Sequence, residues 1–214
     1  KHKSFSAMQQ FCYNDFELNG SGGFFSLSSA ALLNNFYNIR SSVDKLSFGA
    51  YLAEAAKVAS EYLEGDNEYF RFLLNCLYFI ENAEKKAVNG DVLTELKRIK
   101  GIFELKTVSD AGFAPSLDMC AHCGAKTDLE YFDVSAGGAV CKNCSGDGSV
   151  RIYPKLSGFM KFILAKDMKT VFNTSNIGKA LIEDLNYITE KYFQFRLEYY
   201  FKSLDYLNKV IENM

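Results

Sequence analysis

Tryptophan is absent from this chain, and only two prolines and two histidines occur among its 214 residues. Each scarcity excludes something. Histidine is the side chain that titrates near neutral pH, so two of them leave general acid–base catalysis thinly supplied. No GxxxxGK[ST], GxGxxG or GxSxG segment occurs, which removes the phosphate-cradling loops and the nucleophile elbow. There is no run of about 18 apolar residues, so no transmembrane helix is expected. The opening KHKSFSAMQQ lacks the apolar core of a secretory signal. An excess of charge is missing too: the net value is −2. No global field attracts nucleic acid, and any anion-binding surface must be local. An enzyme is therefore the least expected class.

What is present reads as a folded chain: 48% hydrophobic and 23% charged, enough for one domain with appendages or two small ones. It starts at Lys1 rather than Met, as a fragment or a processed chain would. Residues 1–27 read as β. Phe11 and Tyr13 share one face, Phe16 and Leu18 share one face, and the parity changes at Asn14-Asp15, which predicts a bulge or turn. The turn residues NGSGG at 19–23 lead into a second strand, FFSL. Helices are expected from Ser28: a short one in SSAALLNNFYNIR capped by Ser26 or Ser28, then Val43–Leu63, Asn67–Val88, and Asp91 to before Gly112. In the second, Gly49, Ala50, Ala53 and Ala56 allow a neighbour to approach closely. In the third, Tyr69, Phe72, Leu73, Cys76, Ile80 and Ala83 follow helical spacing; in the fourth, Val92, Leu96, Ile99 and Phe103 do. After residue 152, helices resume with LSGFMKFILAKDM and with a last run from Ile177. That run carries one stripe of Leu181, Leu185, Ile188, Tyr192 and Phe195, and a second of Phe193, Leu197, Tyr200, Leu204, Leu207 and Ile211.

Between the two helical stretches lies CAHCGAKTDLEYFDVSAGGAVCKNC, residues 120–144. Two CxxC pairs, Cys120/Cys123 and Cys141/Cys144, stand 17 residues apart. Each pair lets two sulfurs reach one ion from a tight turn, and four thiolates suit tetrahedral zinc. Gly124 supplies a flexible backbone after the first pair. LEYFDV and GGAV read as short strands around a turn at Ser135–Gly138, the pattern of a zinc ribbon. A redox dithiol is the weaker reading, because no βαβ setting precedes a CxxC helix; two disulfides would need an export signal. Four cysteine ligands leave no open position, so one structural Zn2+ is expected rather than a catalytic one. His122 sits inside the first knuckle as a bystander. The pattern is not a deaminase: neither histidine begins His-x-Glu, and Pro115 is five residues before Cys120. Cys12 and Cys76 are read as small buried hydrophobes.

The residues around the first cysteine carry a resemblance. In FELKTVSDAGFAPSLDMCAHCG, residues 103–124, the positions Phe103, Glu104, Leu105, Lys106, Gly112, Phe113, Pro115, Leu117, Asp118, Cys120, Cys123 and Gly124 resemble the RecO family of bacterial recombination mediators. YFDVSAGGAVCKNC resembles the family's second knuckle, and YFQFRLEYYFKSLDYL its closing helix. KHKSFSAMQQF resembles the point where the family's N-terminal OB-fold passes through a basic stretch. TVSD at 107–110 departs from the family's usual leucines. The resemblance implies an α+β, mostly α fold: a partial N-terminal OB-fold, a helical bundle and an inserted four-cysteine zinc ribbon. The expected divisions are residues 1–27 as the remainder of the OB-fold domain, 28–115 as the first part of the helical domain, 116–153 as the zinc ribbon, and 154–214 as the second helical part.

The resemblance further implies a non-enzymatic protein of the bacterial cytoplasm and nucleoid. Its partners would be single- and double-stranded DNA, RecR, the single-strand-binding protein and the RecA pathway, with no membrane. Such a protein anneals complementary strands and, with RecR, helps load RecA. The candidate DNA contacts are Lys1 and Lys3 at the start, the LKRIK cluster of Lys97, Arg98 and Lys100, and Arg196 and Lys202. Phe11 is read as core. A protein–protein adaptor stapled by zinc is the alternative.

Overall fold

A computed structural model describes residues 9–63, 67–174 and 177–213. The chain is mostly helical, with two small antiparallel sheets. A long hairpin comes first: β1 (Cys12–Ser21) pairs with β2 (Phe24–Asn35). Its register slips between Tyr13 and Asn14, where the alternation of the sequence changes parity, and again between Glu17 and Leu18. A bulge is the physical cause of such a slip, because one extra residue turns every later side chain to the other face.

The helix expected from Ser28 is absent. Residues Ser28–Asn35 continue β2, and the first helix, α1, covers only Tyr37–Arg40. Ala30, Ala31, Leu32 and Leu33 favour helix locally, but the first three pair with Phe16, Asp15 and Asn14 of β1, and Leu33 is carried in the bulge between Leu32 and Asn34. Cross-strand pairing overrides weak propensity. Residues 28–35, expected in the helical part, are therefore strand.

The bundle follows: α2 (Val43–Ala59), α3 (Asn67–Glu81), the single turn α4 (Ala83–Lys86) and α5 (Val92–Val108). Ser42 and Asp91 cap α2 and α5, each accepting the backbone N–H three residues on. Helix α5 is central. Leu96, Ile99, Ile102, Phe103, Leu105 and Val108 are all buried, so its apolar surface exceeds the single stripe Val92–Phe103. At Gly101 a side-chain carbon would stand 2.9 Å from Leu185, so this glycine sets how closely α5 and the helix that carries Leu185 approach. Phe11 packs on the core against Gly49, as expected.

After the cysteine segment come α6 (Pro154–Ala165), α7 (Met168–Asn173), α8 (Lys179–Leu197) and α9 (Lys202–Glu212). The last run is thus two helices. Glu198 takes a left-handed conformation, φ +48, and ends α8. The two expected stripes lose phase there: Phe195 and Tyr200 are exposed, whereas Tyr192, Phe193, Leu197, Leu204 and Leu207 are buried. Cys76 is fully buried. Cys12 is only half-buried at the start of β1, with its thiol 3.6 Å from Asn35 Oδ1. Among the described residues, no helix is long and apolar enough to cross a membrane.

Candidate metal centre and cationic surfaces

Helix α5 ends in a π turn, Ser109–Phe113, in which Gly112 adopts φ +89. From there the chain runs into a three-stranded antiparallel sheet: β3 (Leu129–Asp133) lies between β4 (Gly138–Cys141) and β5 (Val150–Arg151). Its residues divide between two environments. Phe132 and Ala139 enter the main core of the bundle, while Val140, Cys120 and Cys141 form a second small core. The module is an insertion whose inner face belongs to the bundle.

The four cysteine sulfurs meet at this second core. All lie within 4.8 Å of one another, and no disulfide joins them. Cys123 and Cys141 Sγ are 3.8 Å apart. A tetrahedral ion with Zn–S bonds of about 2.3 Å places its sulfurs about 3.8 Å from each other, so the donor set fits. Two knuckles aim the thiols. Gly124 N–H donates to the Cys120 carbonyl at 2.9 Å, with Gly124 at φ +74; Cys144 and Ser145 N–H donate to the Cys141 carbonyl. The backbone N–H groups of Cys123 and Cys141 hold the Cys120 thiol down to about 6. Contacts from Cys123 and then Cys141 push the Cys144 thiol up to about 12. Four thiols this close compete for negative charge, and a central cation removes the conflict. His122 stands apart from them, 3.3 Å from Asp133 Oδ2. The cluster can hold one metal ion, and both buried and exposed ligands take part.

The expected cationic contacts fare differently. Arg98 is buried: its guanidinium donates to both Glu95 oxygens and to the carbonyls of Val171 and Phe172, closing the end of α7. Lys100 is 2% exposed and bridges Glu104 and Glu190 at 2.8 and 2.9 Å. Neither can reach a phosphate, which corrects the reading of LKRIK as a surface cluster. The cause is geometry: α5 is enclosed, and residues 97, 98 and 100 point in different directions around it. Lys97 reaches the edge but is held by both oxygens of Glu183 at 2.8 Å. Arg196 donates to the Val134 and Ser135 carbonyls at 3.3 Å and lies over the rings of Tyr192 and Phe195. It clasps the β3–β4 turn to α8 and is not a free cation. Lys202 is exposed at the start of α9. Lys1 and Lys3 lie outside the described residues.

The motif around Glu104 is architectural. Glu104 is fully buried and accepts from Tyr51 Oη and Thr189 Oγ1, each at 2.7 Å. Phe113 offers its carbonyl to Tyr192 Oη, and Leu117 is in the core. Exposed lysines outside that set include Lys155, Lys166 and Lys169. Their signal was available: residues 154–170 hold four lysines and one acid.

Comparison with known proteins agrees with this architecture. The family described as recombination protein O C terminal matches residues 40–205. A DNA repair protein RecO of Alkaliphilus metalliredigens is 28% identical over 209 residues, covering 96% of this chain and 81% of the relative. That of Clostridium kluyveri is 26% identical over 97% of this chain and 77% of its own length, and that of a Thermoanaerobacter species 27% over 100% and 83%. With most of its length matched from α1 to α9, and with the enclosed Glu104 and the four-cysteine module inside the match, the chain belongs to the RecO recombination protein family.

Proposed function

We propose that this protein acts in DNA repair and homologous recombination as a non-catalytic mediator. It binds single- and double-stranded DNA, anneals complementary strands, and works with RecR and the single-strand-binding protein to load RecA. The observation that carries the reading is the family match across residues 40–205, with relatives named for DNA repair. In this reading one zinc ion sits among Cys120, Cys123, Cys141 and Cys144 and cross-links the two knuckles, a folding role that needs no open coordination position. The cysteine module is then a zinc ribbon. The hairpin β1–β2 is part of an OB-fold, in keeping with the apolar Phe16, Leu18, Leu32 and Leu33 it exposes; a two-stranded ribbon does not sustain itself in water.

Annealing asks for no catalytic residue. Cations that neutralise phosphates on two strands lower their repulsion and raise their local concentration, and base pairing then selects the partner. The test follows annealing of two complementary oligonucleotides coated with single-strand-binding protein across a salt series. Acceleration that weakens as salt rises is the expected result. No DNA binding even at low salt would overturn the mediator reading in favour of a protein–protein adaptor.

A further inference from the structure

Helix α6 alternates cations and rings along one face. Lys155 and Lys166 are eleven residues apart, close to three helical turns, which returns them to within about 20° of each other. Gly158, Phe159 and Phe162 lie between them on the same stripe. The two phenyl rings stand nearly parallel, 15° between planes with centroids 6.3 Å apart, and both are half-buried with their inner edges on the core. Gly158 is exposed, and nothing lies within 4 Å of where a side chain would begin. The approach to the rings is therefore open. Lys169 is exposed on α7, just past the bend at Asp167.

Within the segment 154–170 the charge is also one-sided. Asp167 is the single acid between residues 154 and 170, and its carboxylate is engaged in capping α7, accepting from Thr170 N–H at 3.0 Å and Thr170 Oγ1 at 2.7 Å. Asp118 is neutralised by Lys161 at 2.7 Å. Asp184 accepts from Tyr153 Oη at 2.9 Å. Among the described residues, Lys155, Lys166 and Lys169 enter no ion pair. Helix α6 begins at Pro154 with no side-chain cap and no acid in its first turn, so its dipole adds positive potential beside Lys155.

We infer that this face of α6 and α7 binds a single nucleic-acid strand, with unpaired bases stacking on Phe159 and Phe162 and phosphates reaching Lys155, Lys166 and Lys169. The inference rests on the DNA-binding reading above and names its surface. Rings flanked by cations are what sequence-tolerant single-strand sites combine, because every base has a stacking face and every nucleotide a phosphate. The lysines at the two ends of α6 are roughly 16 Å apart along the axis at 1.5 Å per residue, a span that several consecutive phosphates cover. A duplex keeps its bases stacked inside and offers the rings nothing.

The test measures binding of a fluorescent oligo(dT) 30-mer, and of a duplex of equal length, across a salt series. Lys155→Gln/Lys166→Gln/Lys169→Gln is compared with Lys57→Gln/Lys126→Gln/Lys209→Gln, which removes the same charge from three separate exposed positions. The first triple variant is expected to flatten the salt slope by about 2, at ~0.7 per lost phosphate contact on a single strand, and the second to leave it unchanged. Gly158→Gln covers the rings without entering the core; it is expected to weaken oligo(dT) binding at least about five-fold while duplex binding stays the same. Thermal melting confirms that each variant folds. Equal losses from the two triple variants, or no loss from the first, overturn the surface. An unaffected Gly158→Gln overturns the stacking role. A parent protein that binds neither probe at low salt overturns the DNA reading itself, a result distinct from the other two.

Discussion

Lys100 Nζ lies 2.8 Å from Glu104 Oε1, one turn along α5, with both side chains closed off from solvent. Around them Tyr51, Thr189 and Glu190 complete a polar network that ties α2, α5 and α8 together, and Asn208 of α9 joins through Glu190 at 3.5 Å. Burial raises the Glu104 carboxyl even with Lys100 beside it. A charge held this way is costly to strand: removing one partner of a buried pair typically destabilises by about 3–5 kcal/mol.

Lys100→Met should therefore lower the urea-unfolding free energy by about 3–5 kcal/mol. Lys100→Met/Glu104→Gln should recover part of it, since the amide keeps partners in Tyr51 and Thr189. The DNA salt slope of the folded protein should not change. A single variant within ~1 kcal/mol of the parent would show that the pair is dispensable.

Metal removal should act on the whole chain. Phe132 and Ala139 sit in the core of the bundle while Val140 and Cys141, on the same sheet, sit with the thiols. Burying Phe132 alone is worth about 1.5–3 kcal/mol. Calorimetry with a chelator, or of Cys141→Ala, should show one transition shifted down. Two separate transitions, the bundle melting where it did before, would mean the module folds independently.

The Arg196 clasp should be separable from nucleic-acid binding. Arg196→Ala removes two hydrogen bonds to the β3–β4 turn and the cover over Tyr192. Hydrogen exchange at residues 134–139 should quicken, reflecting a local loss of about 1–3 kcal/mol. The salt dependence of DNA binding should be that of the parent. A flatter slope would instead make Arg196 a phosphate contact.

Acid should weaken the same turn. The Ser135 hydroxyl, the Ala136 N–H, His122 and the Ser135 N–H hold the Asp133 carboxyl down to about 2, against ~3.9 for an unfolded aspartate. A lowered folded value means stability that is present above the unfolded value and lost as pH falls through the folded one. The melting-temperature advantage of the parent over Asp133→Asn should be constant above about pH 5 and shrink between about pH 4 and 2. An advantage that does not vary with pH would assign the effect to packing.

By itself the sequence determined the bundle helices, the bulge near Asn14, the insertion between two helical stretches and the meeting of four cysteines. These are local or period-based signals: helical spacing places Leu96, Ile99 and Phe103 together whatever the neighbours do, and CxxC turns deliver paired sulfurs from four residues. Tertiary structure decided the rest. Pairing along β1 turned Ser28–Asn35 into strand against its helix propensity. Enclosure of α5 made Arg98 and Lys100 interior ties, although their density in sequence suggested a surface, because a run of charges says nothing about which helix faces are covered. Outward positions on and beside α6 and α7 left Lys155, Lys166 and Lys169 in water, sparse in sequence and in no ion pair among the described residues. Burial, not charge count, separates a lysine that holds a core from one that can meet a phosphate.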